Sequence, residues 1–220
     1  MRKKIALCGT PNYCVEIFNS FLLSDQFDIQ FVVTNINKNI DRKGNLVSTE
    51  IEKWCEKNKL TLYSTTKFNE LDVDLFKTLD TVFVFSFGQL IGQKFLNAPK
   101  FGFLNLHPSN LPKFRGPSPL QYTILNNEDR IVMSVMCMNS KFDEGDIIAK
   151  KEIYLNRHSN INVAFLLIQL NSSWIISIIL SFLNKEIFSY EQANEATFTN
   201  LIKKEEHYIA SESAEEIILK

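Results

Sequence analysis

The sequence predicts an α/β fold: a mostly parallel, twisted sheet with helices on both faces. Two observations carry this. Through the first half of the chain, short β-branched or aromatic runs alternate with helical patterns, as expected where crossover helices join parallel strands. One of these runs, DTVFVFSF at 80–87, is apolar at most positions, which suits a strand buried on both faces rather than one with a wet side.

The elements follow in order. KIALCG (4–9) reads as the first strand, with GTPN as the turn behind it and VEIFNSFLL (15–23) as a helix. FDIQFVVT (27–34) is a second strand. STEIEKWCEKN (48–58) is a helix with Ser48 as its N-cap and Glu50 or Glu52 in its first turn, where acidic groups suit the helix N-terminus. LTLYST is a short strand, ELDVDLFKTL is helical, and LIGQKFLNA is a short helix before the strand GFLNLH (102–107). Beyond a proline-rich loop, SPLQYTILNN is helical, and IVMSVMCM (131–138) and DIIAKKEIYL (146–155) form a strand pair joined by NSKFDEG. From Ser159 to Asn184 no side chain is charged. That length exceeds the roughly 20 residues of a membrane span. However, the polar Asn171, Ser172 and Ser173 fall in its middle, so a long helix buried on the sheet is expected. No repeat or low-complexity tract is present.

Composition bounds the function. The 220 residues are 45% hydrophobic and 22% charged, enough for one well-buried domain with a small appendage. We expect a domain over 1–184 and a short C-terminal extension over 185–220. A formal net charge of −1 supplies no global attraction to nucleic acid or membrane. Cys8, Cys14, Cys55 and Cys137 are scattered and form no CxxC pair, so they read as thiols in a reducing, cytoplasmic setting. The apolar run after MRKK is too short for a signal peptide.

The stretch NLHPSNLPKFRGPSPLQ (105–121) holds four of the six prolines. Asn105 and His107 lie two apart on the preceding strand. They therefore share a face, ~6.6 Å apart, at the end of the sheet where open α/β folds carry ligands. Pro108, Pro112, Pro117 and Pro119 fix φ and remove donors, while Gly116 permits a sharp bend; such a loop presents a preorganised wall. An acidic partner is expected from NSKFDEGD, where Asp143, Glu144 and Asp146 compete and spacing alone does not choose. Arg42 and Lys43 form a basic loop beyond the second strand, able to meet a phosphate. GTPN lacks the spaced glycines of a dinucleotide site and the Lys of a P-loop. His158 and His207 lie in unpatterned surroundings, no ligand spacing suggests a metal, and no GxSxG or Cys–His signature suggests a covalent nucleophile.

Together these segments resemble the folate-dependent formyltransferase superfamily. NLHPSNLPKFRGPSPLQ is similar to its Asn-x-His-x-Ser-x-Leu-Pro-x-x-Arg-Gly motif and FDEGDII to its Asp-x-Gly-Asp element. GTPNY, VFVFSFGQLI and the tail ATFTNLIKKEE…SAEEI also match, in the same order. Nearly the whole chain is covered, and the catalytic domain of methionyl-tRNA formyltransferases is the most similar part of the family, with short sugar N-formyltransferases also similar.

The resemblance implies a Rossmann-like formyltransferase fold and formyl transfer from 10-formyltetrahydrofolate, as co-substrate and without a metal, to a primary amine. It implies Asn105, His107 and Asp143 as the catalytic trio, which breaks the tie among the acids. Asn105 and His107 would donate to the developing oxyanion, with Asp143 orienting His107 and relaying the amine's proton. Phe87, Gly88, Gln89 and Leu90, with Asn139, Ser140, Lys141 and Phe142, would line the pterin pocket. The loop between donor and acceptor would place Ser109, Leu111, Pro112, Arg115 and Gly116 against the substrate.

Methionyl-tRNA formyltransferases carry a second, C-terminal β-barrel domain that these 220 residues do not include. With the net charge of −1, this favours a small acceptor, a nucleotide-linked amino sugar whose phosphates Arg42 and Lys43 would meet. The alternatives are methionyl-tRNA, another small amine such as glycinamide ribonucleotide, and a non-catalytic folate-binding module. No membrane partner is expected, and a homodimer is left open.

Overall fold

A computed structural model describes residues 1–38, 40, 43–156, 159–193 and 195–202. Among these residues, seven strands form one sheet in the order β3-β2-β1-β4-β5-β6-β7. They are β1 (Lys3–Cys8), β2 (Phe27–Asn35), β3 (Leu62–Thr65), β4 (Thr81–Val84), β5 (Phe103–His107), β6 (Arg130–Cys137) and β7 (Ile147–Tyr154). The first five are parallel; β6 and β7 are antiparallel. The strand order reverses direction at β1, which places β4 beside it and β5 beyond β4, with the carboxyl ends of these three parallel strands at one edge of the sheet.

The sheet is buried on both faces because successive side chains of a strand point to opposite sides. On β1, Ile5 and Leu7 enter one core with Phe18, Phe21, Phe83 and Leu104, while Ala6 and Cys8 enter the other with Phe68, Phe76, Phe95 and Phe103. The first core is closed by helices α1 (Cys14–Leu23), α2 (Glu50–Lys57), α4 (Pro119–Leu125), α5 (Ile161–Leu170) and α6 (Ser172–Leu183). The second is closed by α3 (Gln93–Leu96) and by a knot of edge-to-face phenylalanines around Phe68 and Phe76.

Several boundaries differ from the sequence-based expectations, each for a local reason. Helix α2 is capped by Thr49, not Ser48: the Thr49 hydroxyl accepts from Glu52 N, and Glu52 accepts from Thr49 N. Glu52 is three residues past Thr49, as a capping box requires, whereas Ile51 occupies that place relative to Ser48. The segment expected as a helix at 70–79 is instead two 3-10 turns, Phe68–Glu70 and Val73–Phe76. Leu71 and Asp72 between them are extended, and Asp72 accepts from Asp74 N at 2.9 Å, so a side chain competes with the helical ladder.

The uncharged stretch is two helices, not one. They meet at 52° across Asn171, whose amide donates to Leu167 O at 2.8 Å. Ile175, Ile179 and Leu183 of α6 are buried at helical spacing, as are Ala164 and Ile168 of α5. Among the described residues no single helix is long and apolar enough to cross a membrane, although this bent pair together has the length and composition.

Candidate active site

Strand β5 delivers Asn105 and His107 to its carboxyl end, Asn105 opposite Val84 and Met136, His107 opposite Ser134. The loop that follows folds back at once. Ser109 Oγ donates to Lys113 O at 2.6 Å, Ser134 Oγ donates to Ser109 O at 2.6 Å, and the Leu111–Pro112 peptide bond is cis. This curl carries the Phe114 carbonyl to 2.9 Å from His107 Nε2. A carbonyl only accepts, so Nε2 bears the proton. Nδ1 is then the nitrogen that faces Asp143 Oδ1, 3.6 Å away. That is beyond hydrogen-bond length but within strong electrostatic reach.

Asp143 is fixed from the other side: its Oδ2 accepts from Gly116 N at 2.8 Å. Its φ of 50° lies in the left-handed region, sparsely used by residues with a Cβ. Of the competing acids, Glu144 instead faces Arg115 Nη1 and Lys141 Nζ, each at 3.3 Å, and Asp146 is exposed. Asn105 is half-buried.

All three side chains line one cavity of about 660 Å³. Its walls include Phe87, Gly88, Gln89 and Leu90 from the turn after β4, and Asn139, Ser140, Lys141 and Phe142 from the β6–β7 loop. Gln89 braces the first of these walls: its amide donates to Asn35 Oδ1 and Thr65 O and accepts from Phe68 N. A Cβ at Gly88 (φ 73°) would meet nothing within 4 Å, so open space lies beside that backbone. Leu90 and Phe142 remain exposed at the mouth.

Residues to which the sequence assigned no site role also line the cavity, notably Tyr13, Phe165, Asn35 and Leu201. Tyr13 stacks on Phe165 with centroids 3.7 Å apart. Burial pushes its phenol up to about 12, against an opposing hydrogen bond with Ser86. No spacing links positions 13, 35, 165 and 201; the fold alone brings them together.

The residues expected against the acceptor divide. Gly116 lines the cavity, but Ser109, Leu111 and Arg115 do not; all three are buried. Leu111 is fully buried with Met136 and Ile147, and with Pro112 it borders a separate depression beside Lys150. Lys150 caps that loop by donating to Asn110 Oδ1, and burial lowers its pKa. Arg115 gives its guanidinium to Gln192 and Glu144 and lies over the Phe198 ring. Lys43 is exposed on the loop after β2. Arg42, with His158 and His207, lies outside the described residues.

Past α6, the chain returns to this loop. Arg115 N donates to Thr197 O, Thr199 N to Arg115 O, and Phe114 N to Thr197 Oγ, at 2.9, 2.7 and 2.9 Å. Gly116 (φ 109°) lies so close that a Cβ there would be 2.7 Å from Thr199 O.

Residues 2–163 match the protein-family model described as Formyl transferase. A methionyl-tRNA formyltransferase of Ehrlichia chaffeensis is 31% identical over 205 residues, covering 90% of this chain and 67% of that protein. Among solved structures, a 4-N formyltransferase from Francisella tularensis superposes with a TM-score of 0.72 at 16% identity, over 99% of this chain and 86% of that one. The sugar 3N-formyl transferase WlaRD, solved with dTDP and 5-N-formyl-THF, gives 0.68 at 21% identity, over 100% and 78%.

Proposed function

Because the chain belongs to the formyltransferase family, we propose that its cavity moves a formyl group from 10-formyltetrahydrofolate to a primary amine, using Asn105, His107 and Asp143. One observation carries the reading. Residues 105, 107 and 143 line a single cavity, with the imidazole and carboxylate 3.6 Å apart. The volume of about 660 Å³ lies within the roughly 300–1,000 Å³ of small-molecule sites, and the backbone walls at 87–90 and 139–142 would hold the pterin.

Each residue has a distinct task. The Asn105 amide, at the cavity wall, donates to the oxygen that turns anionic when the amine adds to the formyl carbon. The resemblance gives His107 a share in that role, but its Nε2 proton is committed to the Phe114 carbonyl. This leaves Nδ1 to take the amine's proton, with Asp143 beside it to stabilise the resulting cation; the proton then passes to the folate nitrogen as its bond to the formyl carbon breaks, the oxyanion collapses to the carbonyl and tetrahydrofolate leaves. The Asp143 carboxylate is held ready by Gly116 N.

The acceptor follows from the relatives more than from the cavity. Proteins about 30% identical over most of this chain are methionyl-tRNA formyltransferases, which supports the amino group of a charged methionyl-tRNA. A nucleotide-linked amino sugar is the second reading. It is favoured by the net charge of −1, which gives no broad attraction for polyanionic RNA. A cytoplasmic location belongs to both readings. The test is direct: purified protein, 10-formyltetrahydrofolate and each amine in turn, with N-formyl product followed by mass spectrometry. Formylated methionyl-tRNA at low enzyme supports the first reading, formylated sugar alone the second, and no product with any amine rejects the enzymatic proposal.

A further inference from the structure

Gln192 stands at the junction of three segments that are distant in sequence. Its Oε1 accepts from Arg115 Nε at 3.1 Å and Arg115 Nη2 at 2.8 Å, and its Nε2 donates to Asp143 O at 2.7 Å and Gly145 O at 2.8 Å. Both protons and both lone pairs of the amide are thereby used. Arg115 belongs to the loop whose Phe114 carbonyl anchors His107, and Gly116 N in the same loop holds Asp143 Oδ2. Asp143 and Gly145 belong to the acid loop between β6 and β7. One side chain thus ties the segment that orients the imidazole to the segment that carries the carboxylate.

We propose that Gln192 is a positioning residue, whose amide sets the Asp143 carboxylate against His107 by clamping the Asp143–Gly145 backbone to Arg115. The physical need is local. Asp143 sits at φ 50°, a conformation that persists only where its surroundings over-determine it. Gly116 N grips its carboxylate and Gln192 grips its carbonyl, one on each side of the strained residue. With the second grip gone, the backbone relaxes and the carboxylate loses its placement at 3.6 Å from Nδ1. The neighbouring Glu144 does not replace this amide. Glu144 is already paired with Arg115 and Lys141, and a carboxylate in place of Gln192 would accept from Arg115 but donate to neither carbonyl.

This inference rests on the catalytic reading of Asp143, and the experiment separates the two. Gln192→Met, Asp143→Asn and the double variant are assayed for kcat and for the KM shown by the formyl donor, with thermal unfolding as a check on folding. Gln192→Met is expected to lower kcat tenfold or more with KM changed less than about twofold. The double variant is expected to lose no more than Asp143→Asn alone, since residues acting through one group are non-additive. Should Gln192→Met fold poorly, Gln192→Glu, which keeps the Arg115 pairing, is expected to show the same kcat loss and the same non-additivity. If Asp143→Asn is crippled while Gln192→Met and Gln192→Glu turn over normally, or if the losses multiply, the clamp is rejected and the catalytic reading stands. A fully active Asp143→Asn rejects both.

Discussion

At the scale of single residues, the candidate site works through atoms whose alternatives are closed off. His107 Nε2 is hydrogen-bonded to a carbonyl and Asp143 Oδ2 to a backbone N–H, while Asn105 lines the cavity. Asn105→Ala is therefore expected to lower kcat by ~10²–10³, about 2.7–4 kcal/mol for a lost oxyanion donor, with KM for the folate nearly unchanged. Single-turnover rates with the preferred amine check this. Gly145 is a second such point, since a Cβ there would be 1.7 Å from the Cys137 carbonyl, which is strand backbone and cannot yield cheaply. Gly145→Ala is expected to displace the acid loop and reduce kcat together with thermal stability. A variant with wild-type kcat and melting temperature would contradict the close approach.

At the scale of elements, strands are the most legible part of the sequence and helix termini the least. The expected strand at 27–34 is β2 over 27–35, because β-branched runs bounded by turns leave little choice. The cap of α2 shifts by one residue because two hydroxyl residues, Ser48 and Thr49, precede the helix and the carboxylate three places on decides between them. Thr49→Ala is expected to cost about 0.5–2 kcal/mol, read as a lower urea midpoint with an unchanged slope, while Ser48→Ala is expected to cost little. The break between α5 and α6 falls where Asn171 is followed by two serines. Such residues compete for helical backbone without dictating how sharp a bend they make.

At the scale of the molecule, the cavity is lined by residues from Thr10 to Leu201, so almost the entire chain must be folded to form it. Ligand binding and global stability are consequently linked. A folate such as 5-formyltetrahydrofolate, at a hundred times its Kd, is expected to stabilise the protein by about 2.7 kcal/mol, and no rise in melting temperature would tell against the pterin slot. The sequence by itself determined the layered α/β architecture, because hydrophobic periodicity is a local property and the sheet needs both faces covered. It also marked Asn105 and His107, since a strand's period of two puts them on one face. Only the tertiary structure decided what spacing cannot encode. It showed which ring nitrogen of His107 faces Asp143, why Arg115 turns inward, and that Gln192, from beyond the last helix, closes the junction. Those outcomes depend on how loops far apart in sequence share hydrogen-bond donors and acceptors, and a linear chain carries no period that reports such sharing.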